Sequence, residues 1–200
     1  MTDSKKLEIE IRKPFDCEWA DIGKLMATSF FHEYRNLFGL NPFDIPHYFE
    51  EVFRDDHTLV AVSEGNIIGC CMFKGSKDGA RSPFRTLTTI FKTVPFVNAV
   101  RCLVSVFNPS FFPSNSVHID HICVSFNTRG EGVGRRLVGH VRDLAKKNGY
   151  DYLSLQVNSQ NDVAVGLYKS MGFEIEKEVS NWSIKRTLGY ESVYFMKLGL

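Results

Sequence analysis

The sequence contains no run approaching the roughly 18 apolar residues that a membrane-spanning helix requires. Its first residues, Met1 to Lys6, are polar and lack the apolar core of a secretory signal, so a cytoplasmic protein is expected. Cysteines form no recognisable pattern: Cys17, Cys70, Cys71, Cys102 and Cys123 are odd in number, two are adjacent, and no CxxC pair occurs. Four of them, Cys70, Cys71, Cys102 and Cys123, lie in apolar runs, where a thiol behaves as a small hydrophobe. The six histidines show no HExxH or comparable spacing, so no metal site is expected. Charge of one sign is not in excess either. A net charge of +1 favours neither nucleic acid nor a strongly anionic surface as partner.

What is present suits one domain over residues 1–200, with 44% apolar and 24% charged residues and neither repeats nor an interdomain linker. Leu7 to Arg12 alternates at period two and predicts a strand. Pro14 and Asp16 introduce a helix to about Phe31, with Ile22, Leu25, Met26 and Ser29 on one face. A second helix is expected over 43–53. His57 to Ser63 and Ile67 to Phe73, separated by Glu64-Gly65-Asn66, predict a hairpin.

The second half predicts alternating elements: a strand at Val117 to Val124, a helix at Val133 to Lys147 stopped by Asn148-Gly149, and a strand at Tyr152 to Val157. A short helix at Asp162 to Met171, closed by Gly172, and strands at Phe173 to Val179 and Val193 to Leu198 follow. This order implies an α/β fold. Between them lies an unusual stretch, 75–116, which predicts two short helices from Ser82 and from Pro95. Between Gly79 and Ile119 it carries Arg81, Arg85, Lys92 and Arg101 but no acid. A lid over a neighbouring groove is the favoured reading, ahead of a helix pair that only enlarges the core and of a partner surface or a membrane contact through 80–113.

Two segments carry chemistry. The first, Val124 to Leu137, joins a strand to a helix and contains Arg129-Gly130-Glu131-Gly132-Val133-Gly134-Arg135-Arg136. Glycines there let backbone approach a bulky anion, and the unpaired N–H groups of the following helix face a phosphate. Arg129, Arg135 and Arg136 can add charge-assisted hydrogen bonds. It is not a dinucleotide fingerprint, which would need glycine at Arg135, and no GxxxxGK[ST] occurs. The second segment runs Asn158-Ser159-Gln160-Asn161-Asp162-Val163-Ala164-Val165-Gly166-Leu167-Tyr168-Lys169-Ser170-Met171-Gly172-Phe173.

The first segment resembles the R/QxxGxG/A loop of the GNAT superfamily of acetyl-CoA-dependent N-acetyltransferases, and the second resembles its NxxAxxLYxxxGF pattern. The resemblance is firm from Val117 to Phe173. It implies a mixed, mostly antiparallel central sheet with two splayed parallel strands, flanked by helices, with 75–116 as a helical insertion. It further implies that acetyl-CoA is the co-substrate. Ile122, Cys123 and Val124 would line the pantetheine arm, with backbone around Val124 polarising the thioester. Arg129, Gly130, Glu131, Gly132, Val133, Gly134 and Arg135 would hold the pyrophosphate, and Asn161 would bond the cofactor arm. Tyr168 would protonate the departing thiolate.

Some peptide N-terminal acetyltransferases of the superfamily carry glutamate just before the position of Val157, where this chain has Gln156. Other members place basic residues at the positions of His118 or Asp120, which become the candidates for general base. Alternation places His118, Asp120, Ile122 and Val124 on one face and His121 on the other. The implied acceptor is a small-molecule or peptide amine. A non-catalytic acyl-CoA-binding regulator and an acyltransferase using a longer donor are the alternatives.

Overall fold

The computed structural model describes residues 7–39, 41, 57–77, 113–180, 184–185 and 188–200. The helix expected over 43–53, the paired helices of the insertion and Cys102 lie outside these residues.

Seven strands form one sheet: β1 (Glu10–Arg12), β2 (Thr58–Ser63), β3 (Asn66–Gly75), β4 (Ser116–Val124), β5 (Tyr152–Asn158), β6 (Glu174–Val179) and β7 (Val193–Gly199). Their order is β1-β2-β3-β4-β5-β7-β6. Every neighbouring pair is antiparallel except β4 and β5, which run parallel. The β2–β3 hairpin turns through Glu64 and Gly65, both with positive φ (49° and 78°), the two-residue geometry whose twist matches that of the strands. All six residues of β2 are buried, because helices cover both faces of the sheet there.

Those helices divide the core. On one face α1 (Trp19–Ser29) sets Trp19, Ile22, Met26 and Ala27 against Val60, Val62, Cys70, Met72 and Cys123. On the other, α3 (Val133–Lys147) sets Val133, Leu137, Val138, Val141 and Ala145 against Leu59, Ala61, Ile68, Cys71, Val117 and Ile119. The helix α4 (Asp162–Ser170) adds Val165 and Tyr168 to this second cluster. Leu144 is half-buried and packs against this cluster beside the fully buried Ala145.

The first helix departs from expectation by ending at Ser29. Phe30 (φ −114°, ψ 31°) breaks it, and a separate helix α2 (Phe31–Phe38) follows, stopped by Gly39 at φ 66°. The ring of Phe30 meets Tyr34 edge-on at 5.8 Å and His121 of β4 at 5.5 Å, which anchors the corner between the two helices on the sheet. At the helix start, Glu18 accepts two hydrogen bonds from Arg12 (2.8 and 2.6 Å) and one from the Phe15 N–H (2.7 Å), tying β1 to α1. The outer strand β6 is protected as an edge by its exposed charges Glu174, Glu176, Lys177 and Glu178. Among the described residues no helix is long and apolar enough to cross a membrane.

Candidate active site

The parallel strands β4 and β5 pair only at Ser116↔Tyr152, Val117↔Leu153, His118↔Ser154 and Ile119↔Leu155. Beyond Ile119 and Leu155 each strand continues without the other, to Val124 and to Asn158. Their separation coincides with a β-bulge. Met72 pairs with His121 and Phe73 with Ile119, so Asp120 is the extra residue on β4.

The bulge corrects the expected facing of β4. Val117 and Ile119 pack on the α3 face, and after the inserted residue so do Ile122 and Val124. His121, against Phe30, and Cys123 point to the α1 face. His118 shares that α1 face with them, since its parallel neighbours in register, Val117↔Leu153 and Ile119↔Leu155, belong to the α3 cluster. His118 therefore faces with His121, not with Ile122 and Val124. The signal was in the sequence: apolar residues at 117, 119, 122 and 124 skip one place, which marks an inserted residue.

The bulge also leaves backbone aimed into the gap. The Ser125 N–H donates to the Ile68 carbonyl (2.8 Å), so alternation gives Cys123 and His121 their backbone bonds toward β3. Ile122 and Val124 then direct N–H and C=O the other way, to the side where β5 has stopped pairing. On β5, Gln156 lies in the free half, exposed, on the face opposite the buried Leu155 and Val157.

At the outer end of the gap stands the loop expected to bind phosphate. A short turn at Phe126–Thr128 leads to Gly130 (φ 86°) and Gly132 (φ 77°), left-handed angles that a side chain would strain. Gly132 is the N-cap of α3, and the first helical bond runs from Arg136 N–H to the Gly132 carbonyl (3.0 Å). The N–H groups of Val133, Gly134 and Arg135 precede that bond and open at the positive end of the helix dipole. Gly134 serves by its size: a Cβ there would stand 3.4 Å from Leu167 Cδ2 and 3.8 Å from Val124 Cγ2, so anything larger than alanine would wedge α3 from α4 and β4. Arg129 lies over the Phe126 ring at 5.3 Å, while Arg135 donates to Ser170 Oγ (2.5 Å), joining the two helices. Glu131 and Arg136 are exposed.

Asn161 caps α4, its Oδ1 accepting from the Ala164 N–H at 3.1 Å. One face of α4 buries Tyr168 in the α3-side core, its ring 5.7 Å from that of Phe173. Burial, with a smaller contribution from neighbouring Cys71, pushes the Tyr168 phenol well above its usual range, so the hydroxyl keeps its proton.

The two candidate bases differ sharply. His118 is buried, its Nδ1 3.0 Å from Ser154 Oγ, and burial together with His121 lowers its pKa to about 3. Its imidazole is neutral at physiological pH and a weak proton acceptor. Asp120 is exposed at the bulge, where the strands part. The thiols of Cys70 and Cys123 meet across β3 and β4 at 3.3 Å, both free and buried, which suits the structural role expected of them.

Comparison with known proteins fits this geometry. A family model described as the Acetyltransferase (GNAT) family matches residues 23–173, well over half of the chain. The Peptidyl-lysine N-acetyltransferase YjaB of Salmonella typhimurium is 41% identical over 58 residues, which cover 29% of this chain and 37% of that protein. This chain thus aligns with little more than a third of that relative. A crystal structure of an acetyltransferase superposes with a TM-score of 0.69 at 19% identity, covering 95% of this chain and 98% of that one. A putative acetyltransferase of Salmonella typhimurium, yncA, solved with its cofactor acetyl-CoA, superposes with a TM-score of 0.59 at 17% identity, covering 96% and 94%. At these identities the structural likeness speaks for the fold.

Proposed function

The chain belongs to the acetyltransferase (GNAT) family, and from this premise we propose that it is an acetyl-CoA-dependent N-acetyltransferase acting on a primary amine by direct attack in a ternary complex. The observation that carries the proposal is the gap between β4 and β5, with the backbone of Ile122 and Val124 aimed into it and the α3 N-terminus at its outer end. A pantetheine arm is a chain of amides that needs backbone partners, and a pyrophosphate needs clustered N–H donors. Both needs are met along one line.

In this reading residues 129–135 hold the pyrophosphate and Val124 polarises the thioester carbonyl. The amide of Asn161, its oxygen engaged by the helix it caps, bonds the arm through its NH2 group. The amine nitrogen forms a bond to the carbonyl carbon, the carbon–sulfur bond breaks, and the thiolate takes the Tyr168 proton. Asp120, directly or through water, takes the proton lost by the amine. His118 is assigned a lesser part than Asp120, because its buried imidazole resists protonation. A cytoplasmic setting belongs to the same proposal: Cys70 and Cys123 lie side by side as free thiols, as a reducing compartment allows.

Binding is tested by thermal unfolding with and without acetyl-CoA. A ligand at 100 times its dissociation constant adds about 2.7 kcal/mol to stability. The wild type should show a clear upshift that Gly134→Glu, which blocks the helix terminus, abolishes. Absence of any upshift at saturating acetyl-CoA in the wild type would overturn the assignment.

A further inference from the structure

Two rims bound the gap on its α1 side, and one side-chain pair spans them. The β4 rim carries the α1–α2 corner, because the Phe30 ring sits on His121, the first residue past the bulge. The β5 rim carries the segment leading into β7, because Asn158 at the end of β5 pairs with Val193 at the start of β7. Glu33 lies one helical turn beyond Phe30 in α2, and Tyr190 lies three residues before Val193. The Tyr190 hydroxyl donates a short hydrogen bond to the Glu33 carboxylate.

Both ends of this strap are fixed. Ser192 Oγ donates to Glu178 Oε1 at 2.5 Å and lies 2.6 Å from Ser159 Oγ, and Ser180 Oγ donates to the Glu191 carbonyl at 2.8 Å. Opposite, Gly189 (φ 78°) comes so near α2 that a Cβ there would stand 2.8 Å from Asn36 Nδ2. Glu33 is half-buried, and the partner it has is a neutral phenol. Among the described residues it forms no ion pair, and Lys185, a described cation of the neighbouring segment, is held by Glu191 at 2.8 Å. A carboxylate partly withdrawn from water, with a neutral phenol as its partner among the described residues, attracts a cation.

We propose that Glu33, positioned by Tyr190, is a specificity residue of the amine port and selects acceptors that carry a second positive charge beside the reacting amine. The inference rests on the acetyltransferase reading and adds the substrate class: an aliphatic amine with a second cationic group, as in an α,ω-diamine. The reacting end, once deprotonated, goes down to the bulge at Asp120, and the distal ammonium stays at the rim on Glu33.

The test compares α,ω-diamines with monoamines of equal length as acceptors, following thiol release from acetyl-CoA at fixed pH. In the wild type the diamine should have a KM lower by roughly tenfold, the scale of one charge-assisted contact, and added salt should erode that ratio. Glu33→Gln should remove the preference while leaving the acetyl-CoA thermal upshift unchanged. Tyr190→Phe, which keeps the carboxylate but removes the hydroxyl that positions it, should weaken the preference without abolishing it. A ratio near one in the wild type, or a preference untouched by both salt and Glu33→Gln, overturns the inference. Equal loss for diamine and monoamine in both variants overturns it too, since the pair would then be a structural strap alone. Should Glu33→Gln fail to fold, the salt dependence of the wild type decides by itself. A wild type that acetylates no amine counts against the acetyltransferase reading instead, a distinguishable failure.

Discussion

His118 and Ser154 face each other across the parallel strands one position before those strands part, Nδ1 to Oγ at 3.0 Å. The pair sits at the apex of the gap, buried, and the Ser154 hydroxyl continues toward the Val117 carbonyl at 3.5 Å. Polar groups at such a point are costly unless satisfied, and here they satisfy each other.

A pH dependence of folding follows. His118 titrates near 6.5 when unfolded and near 3 when folded, so between those values the unfolded chain binds the extra proton. Its contribution to stability is complete above 6.5 and is lost as the pH falls toward 3. The slope from one such group is about 1.4 kcal/mol per pH unit. Urea unfolding at pH 7, 5 and 4 should show wild-type stability falling more steeply than that of His118→Gln, which keeps a partner for Ser154 but does not titrate. Parallel curves would mean that His118 is protonated in the folded state.

Tyr168→Phe should keep the acetyl-CoA thermal upshift and lose turnover, because the substitution removes only the proton that a thiolate needs. General acid catalysis is worth about 100- to 10,000-fold. Activity within twofold of wild type would reduce Tyr168 to a ring packed on Phe173.

On the proposed assignment of Asp120 as proton acceptor, Asp120→Asn should lower kcat/KM and displace the acidic limb of the pH–rate profile. His118→Gln should leave that limb in place. An unchanged limb in Asp120→Asn would mean that the amine arrives already deprotonated from solution.

Most of the fold could be read from the sequence because its signals are local. The glycine stop at Gly149 (φ 71°) and the alternation in β5 placed α3 and β5 within a residue of their observed bounds. The Glu64-Gly65 turn placed the β2–β3 hairpin equally well at its turn, while β3 runs two residues past the expected end, to Gly75. The break at Phe30 was hidden because its cause is tertiary, a ring seated on His121 from a distant strand. The bulge at Asp120 escaped strict period-two reasoning, although the spacing of Ile119 and Ile122 held the clue. Among site residues, the glycine loop and Tyr168 announced themselves by motif. Glu33, Tyr190 and Ser154 could not, since their significance lies in contacts between segments far apart in the chain.

The central claim is group transfer in the gap between β4 and β5, and the most direct measurement is release of free thiol from acetyl-CoA across a panel of primary amines. The account predicts amine-dependent thiol release with one acetyl group appearing on the acceptor for each thiol, much reduced in Tyr168→Phe. Binding of acetyl-CoA without amine-dependent thiol release from any acceptor would contradict it, and the chain would then be an acyl-CoA-binding module, a reading that Gln156 in place of a carboxylate would suit.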